Sequence, residues 1–290
     1  MSEPEQPTKK YRGNCHCGAF VFEVEAPEIK SLSDCNCSIC TKRGYLWLVP
    51  KSAPTIVKDD GKLVHYSFAG KNMDHQFCGN CGITVLAASD MFPAKFGVNA
   101  RTIQGLNVWD LEIKTFDGAA YDPQYVAPAY SGPEPNPAGF EDANTYHGSC
   151  HCGAVTTAVR IKGSPEDNTY KERILECNCS ICLRAGYIWI YPSESQVAIQ
   201  GRENLSTYVF GTRVFRKVFC KTCGVHIGAE PNPDLTDEEI AALPEVVRDF
   251  RAARLDLRPM NLRAFNGLDL KRVKPTQVDG WSRGQQYANP

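Results

Sequence analysis

The apolar positions of the chain gather in short runs rich in β-branched and aromatic residues, and such runs predict strands. They cover residues 19–25, 45–49, 63–68, 154–159 and 187–191, and Pro50 and Pro192 close two of them. One window breaks the pattern. From Leu235 to Leu243, Thr236 and Glu239 stand at capping-box spacing and Pro244 follows, which predicts a short helix. It lies in an insert at roughly residues 230–250. The expected fold class is therefore mainly β, with a single short helix in the second half.

The runs repeat in order, and the repeat sets the domain count. Gly44-Tyr45-Leu46-Trp47 matches Gly186-Tyr187-Ile188-Trp189, and Leu63, Tyr66 and Phe68 match Leu205, Tyr208 and Phe210. Between the copies, residues 131–139 hold three prolines and two glycines, a composition that reads as a semi-rigid linker. The expected organisation is a first domain at 1–130, a linker at 131–143 and a second domain at 144–290. The second copy carries extra residues at 162–168 and again in the 230–250 insert.

All fourteen cysteines obey the same repeat. Each copy contains a C-x-C-G, a C-x-C-S-I-C and an F-C-x-x-C, at residues 15–18, 35–40 and 77–81, then at 150–153, 177–182 and 219–223. Seven thiols cannot pair off within one domain, but they divide into four plus three. Four thiolates close a tetrahedral zinc shell, and three leave one position open, as catalytic zinc sites do. Tight C-x-C and C-x-x-C spacings favour a shared metal over a disulfide. The N-terminus lacks the apolar stretch of a secretory signal, so the expected compartment is the reducing cytoplasm.

Composition narrows the partners. A net charge of −1, spread evenly over both copies, gives no electrostatic footprint for nucleic acid or an anionic membrane. No apolar run approaches the roughly 20 residues that cross a bilayer. Neither copy contains a dinucleotide fingerprint.

The motif order (G-x-C-x-C-G, C-x-C-S-x-C, F-C-x-x-C-G) resembles the glutathione-dependent formaldehyde-activating enzyme family, which also includes centromere protein V and carbon–sulfur lyases. The resemblance spans nearly all of each copy. It implies two tandem zinc-binding domains of small coiled β-sheets, binding up to four zinc ions per chain. Carried over by motif, the closed structural sites would be Cys15, Cys17, Cys78 and Cys81, and Cys150, Cys152, Cys220 and Cys223. The open, catalytic sites would be Cys35, Cys37 and Cys40, and Cys177, Cys179 and Cys182, each triplet on one short loop. A shared tail is expected to align residues 98–103 with 251–256.

The implied activity is zinc-dependent cleavage or formation of the carbon–sulfur bond of a glutathione conjugate. S-(hydroxymethyl)glutathione synthesis from formaldehyde is the alternative, and a non-catalytic zinc-binding interaction module is a further one. Glutathione carries carboxylates, so Arg101 and Arg254 are the candidate substrate clamps, with Arg43, Lys71, Arg184 and Arg213 behind them. For proton transfer the candidates are His75, replaced by Lys217 in the second copy, and the matched Tyr66 and Tyr208. Trp47 and Trp189 read as core aromatics on strands, His16 and His151 as neighbours of the structural ligands.

Overall fold

The computed structural model describes residues 7–70, 72–121, 125–283 and 286–290. It is mainly β, and the strand order is the same in both copies. The first copy comprises β1 (Thr8–Asn14), β2 (Phe20–Pro27), β3 (Ser31–Cys35), α1 (Ser38–Arg43), β4 (Trp47–Leu48), β5 (Thr55–Asp59), β6 (Leu63–Tyr66), β7 (Asp74–Cys78), β8 (Thr84–Ala88), β9 (Phe96–Asn99) and β10 (Glu112–Phe116). Among the described residues these form a three-stranded sheet, β1-β2-β5, and a seven-stranded sheet, β10-β3-β4-β9-β8-β7-β6.

The second copy comprises β11 (Asn144–Ser149), β12 (Thr156–Ile161), β13 (Leu175–Cys177), α2 (Ser180–Ala185), β14 (Trp189–Ile190), β15 (Val197–Gln200), β16 (Leu205–Val209), β17 (Phe215–Cys220) and β18 (His226–Pro231). It continues with α3 (Asp237–Ala241), α4 (Glu245–Ala252), β19 (Met260–Asn261) and β20 (Thr276–Val278). Its sheets run β11-β12-β15 and β16-β17-β18-β19-β14-β13-β20. By compactness the chain divides into one unit of residues 1–125, 180–186 and 287–290 and another of 126–179 and 187–286.

The apolar runs form the core. Phe20, Phe22, Tyr45 and Phe77 in the first copy, and Tyr187, Ile190 and Phe219 in the second, are almost completely buried. Removing each such side chain from water contributes about 1.5–3 kcal/mol. In both copies the register slips one residue before a cysteine, at Gln76/Phe77 and at Val218/Phe219. Such bulges re-aim the residues that follow them, and the ligands Cys78 and Cys220 follow directly.

The helical expectation is met and exceeded. Thr236 caps α3 with the full capping box, its hydroxyl accepting from Glu239 N. α4, which begins after Pro244, was not expected, and neither were α1 and α2.

The expected alignment of the shared tail is overturned. Arg251 and its neighbours lie in and just after α4, and the true counterpart of Asn99 is Asn261. Asn99 Oδ1 accepts from Leu46 N and Arg101 N, while its Nδ2 donates to Thr84 O. Asn261 makes the same three bonds, with Ile188 N, Arg263 N and His226 O. The inserted α3–α4 segment had displaced the second tail along the sequence, so the first arginine-rich stretch encountered was the wrong one. Both asparagines are 1% exposed. Asn99→Ala and Asn261→Ala should each cost about 2–4 kcal/mol in denaturant unfolding, because each strands buried backbone groups.

Candidate metal centres

Two closed clusters hold the sheets at their ends. The Sγ atoms of Cys15, Cys17, Cys78 and Cys81 all lie within 4.8 Å of one another, as do those of Cys150, Cys152, Cys220 and Cys223. A tetrahedral zinc with Zn–S bonds of 2.3 Å requires sulfurs about 3.8 Å apart. The measured separations fit: 3.7 Å for Cys15–Cys17, 3.6 Å for Cys17–Cys78, 3.6 Å for Cys150–Cys152 and 3.7 Å for Cys152–Cys220. None approaches a disulfide bond length, and none of the fourteen cysteines is in a disulfide. Backbone amides stabilise the sulfurs, with Phe20 N donating to Cys15 Sγ at 3.3 Å and Val155 N to Cys150 Sγ at 3.2 Å. The knuckle glycines Gly18, Gly82, Gly153 and Gly224 take the left-handed backbone that such tight turns need.

The two triplets Cys35, Cys37, Cys40 and Cys177, Cys179, Cys182 also bring their sulfurs within 4.8 Å. They do not lie on plain loops. Cys35 ends β3, Cys37 is the N-cap of α1, and Cys40 lies within the helix. Strand, cap and helix turn thereby aim three sulfurs at one point. Hydrogen bonds from Cys37 and Cys40 pull the Cys35 thiol down to about 3, whereas burial pushes Cys40 well up. Trp47 Nε1 donates to Cys40 Sγ at 3.3 Å.

A lid over each triplet escaped the sequence reading. β10 runs parallel to β3 and pairs Phe116 with Cys35, as β20 pairs Val278 with Cys177. Asn36 Nδ2 donates to Asp117 Oδ1 at 2.9 Å while its Oδ1 accepts from Ala119 N at 2.8 Å. In the second copy Asn178 does the same with Asp279 and Trp281. This clamp presses Gly118 and Gly280 onto the sulfurs, where a Cβ would meet Cys35 Sγ at 2.2 Å and Cys177 Sγ at 2.4 Å. The signal was present as a D-G pair eighteen residues after Asn99 and after Asn261, hidden by the misplaced tail.

Beside the first triplet lies a cavity of about 380 Å³, lined by Cys35, Cys37, Cys40, Trp47, His75 and a set of apolar side chains. Trp47 is thus both core and wall. His75 is 1% exposed, and its Nδ1 lies 3.0 Å from Tyr45 Oη, which accepts from Arg43 Nη1 at 2.8 Å. Tyr66 pairs with His75 across β6–β7, and Tyr208 pairs with Lys217 at the equivalent register. The Lys217 ammonium stands 4.6 Å over Trp189.

The candidate clamps lie elsewhere. Arg101 is buried, with Nε donating to Gly44 O at 2.7 Å, and is not among the cavity-lining residues. Arg254 lies just after α4, its guanidinium 4.1 Å from the Phe250 ring. Arg263, not Arg254, is the positional equivalent of Arg101. Arg43 and Arg184 are buried, Arg213 pairs with Glu239 at 2.8 Å, and Lys71 lies outside the described residues. His16 and His151 are buried, with His16 stacked on Tyr287 at 4.7 Å.

The sequence profile of the glutathione-dependent formaldehyde-activating enzymes matches residues 10–117 and 145–248. The chain belongs to that family. A solved Rhodobacter sphaeroides protein is 26% identical over 45% of this chain and 97% of its own length, with a TM-score of 0.33. No described helix is long and apolar enough to cross a membrane.

Two measurements test this division of the sulfurs. Purified protein should carry up to four zinc ions, and mild chelation should remove those of the triplets first because they have one protein ligand fewer. Gly118→Ala should displace Cys35 and lower the zinc content by about one ion per chain with little change in melting temperature. Cys78→Ser should instead lower the melting temperature sharply.

Proposed function

We propose that the protein breaks or forms the carbon–sulfur bond of a glutathione conjugate, with the conjugate's sulfur directed to the triplet Cys35, Cys37 and Cys40. One observation carries this reading: three converging sulfurs form part of the wall of a cavity large enough for a substrate. Three thiolates match a soft metal such as zinc and leave one position for a fourth sulfur. A zinc ion bound there would supply Lewis acidity that keeps a substrate sulfur anionic near neutral pH.

The chain's own groups do the rest. In the cleavage direction, the bonding pair leaves with sulfur while a proton is lost from the adjacent carbon, giving an alkene and glutathione. His75 is the group in the wall suited to that proton. Arg43 donates to Tyr45 Oη, and His75 Nδ1 lies 3.0 Å from the same oxygen, so the imidazole is held by a fixed hydrogen-bond chain. Burial raises the Tyr45 pKa, so the phenol stays protonated and holds the ring in place. Trp47 Nε1–H moderates the charge on Cys40. Cys177, Cys179 and Cys182 offer a second triplet, with Lys217 standing where His75 does in the first. The reverse chemistry on formaldehyde would give S-(hydroxymethyl)glutathione, in keeping with the family's description.

Assays of a cleavable thioether conjugate and its ether analogue should differ by at least about a hundredfold in rate, since an alkoxide is a far worse leaving group than a thiolate. Free glutathione should appear in step with the carbon product, without added nicotinamide. Equal turnover of both analogues would refute the proposal. Cys37→Ser should abolish most turnover at the first site while leaving the fold intact.

A further inference from the structure

We propose that the first copy's cavity selects conjugates whose sulfur carries an apolar, ring-bearing carbon group. This rests on the reading above and names the substrate class of that site. Besides the three cysteines, His75, Ser33, Asn72 and Tyr121, the wall is built of apolar side chains and glycines, and no lysine, arginine, aspartate or glutamate stands among the described residues lining it. The tripeptide of glutathione, with its carboxylates and ammonium, finds no charge partner among the described lining residues, so the buried volume suits the other substituent on sulfur.

The shape of the wall points to a ring. Trp47 and Phe92 face each other with centroids 6.0 Å apart at 45°, and Phe116 stacks on Tyr121 at 6.0 Å with the rings only 5° from parallel. Phe68 stacks on His75 at 6.0 Å. Aromatic walls at these spacings accept a further ring edge-on or offset, beyond the gain from buried area alone. A hydroxymethyl group, with one carbon and one hydroxyl, would leave most of 380 Å³ unfilled.

The second copy does not repeat this lining. Phe116 and Tyr121 correspond to Val278 and Arg283: Phe116 and Val278 pair with equivalent cysteines, and Tyr121 N and Arg283 N donate to Gly118 O and Gly280 O. With Lys217 in place of His75, two positions that are apolar or neutral in the first copy are cationic in the second. The preference for a ring therefore belongs to the first copy.

Calorimetric titration of the zinc-loaded full chain with two stable thioethers, S-benzylglutathione and S-methylglutathione, tests this without turnover. The benzyl compound should bind at least about tenfold more tightly. Phe92→Ala should reduce that ratio to less than about threefold while changing the affinity for the methyl compound little. Tyr121→Ala, at an exposed position, should reduce it in the same direction and serves if the turn around Phe92 loosens. Equal affinities, or a ratio unchanged in both variants, would overturn the inference. Release of glutathione from a cleavable ring-bearing conjugate is read separately. Its absence would overturn the proposed reaction, whereas the titration ratio alone decides what the cavity accepts.

Discussion

Each copy brings together four sulfurs from segments some sixty to seventy residues apart. Cys15 and Cys17 follow β1, Cys78 and Cys81 flank the turn after β7, and those strands belong to different sheets. Three of the strands are only two residues long, so little backbone pairing holds their ends together. A metal shared by four thiolates would close that long loop and couple metal affinity to folding free energy. The bulges before Cys78 and Cys220, the left-handed knuckle glycines and the amide-to-sulfur bonds all serve to converge the four sulfurs.

The first triplet, by contrast, lies in the wall of a cavity. Its three sulfurs come from a strand end, a helix cap and a helix turn, and the Asn36–Asp117 clamp presses a glycine against them. This geometry excludes any side chain from the space beside Cys35. It keeps one flank of the triplet compact, while the cavity and His75 occupy another. The same clamp in the second copy shows that the triplet, like the closed cluster, belongs to the repeated design, and the differences between the copies lie in the walls.

Much of this was legible in the chain itself. The count of seven cysteines suggested four plus three, the family resemblance said which, the β-branched and aromatic runs became strands, and Thr236 with Glu239 announced a helix start. What stayed hidden depended on tertiary pairing. Asn261 could not be recognised while two helices stood between it and the rest of its copy, and with it went Asp279 and Gly280. The α1 and α2 turns are six residues each, too short for periodicity to reveal. Arg101 reads as a clamp by charge, and in the fold its Nε donates to the backbone carbonyl of Gly44. Charge in a sequence does not distinguish a ligand-binding cation from one that ties two turns together.

The central claim is that a substrate sulfur completes the first triplet. Selenium-edge X-ray absorption on the zinc-loaded protein, with the selenol analogue of glutathione bound, tests it directly. The account predicts a zinc neighbour bonded to selenium that persists in Cys179→Ser and is lost when Cys37→Ser is combined with Cys179→Ser. A selenium environment containing only carbon, with binding retained, would contradict it.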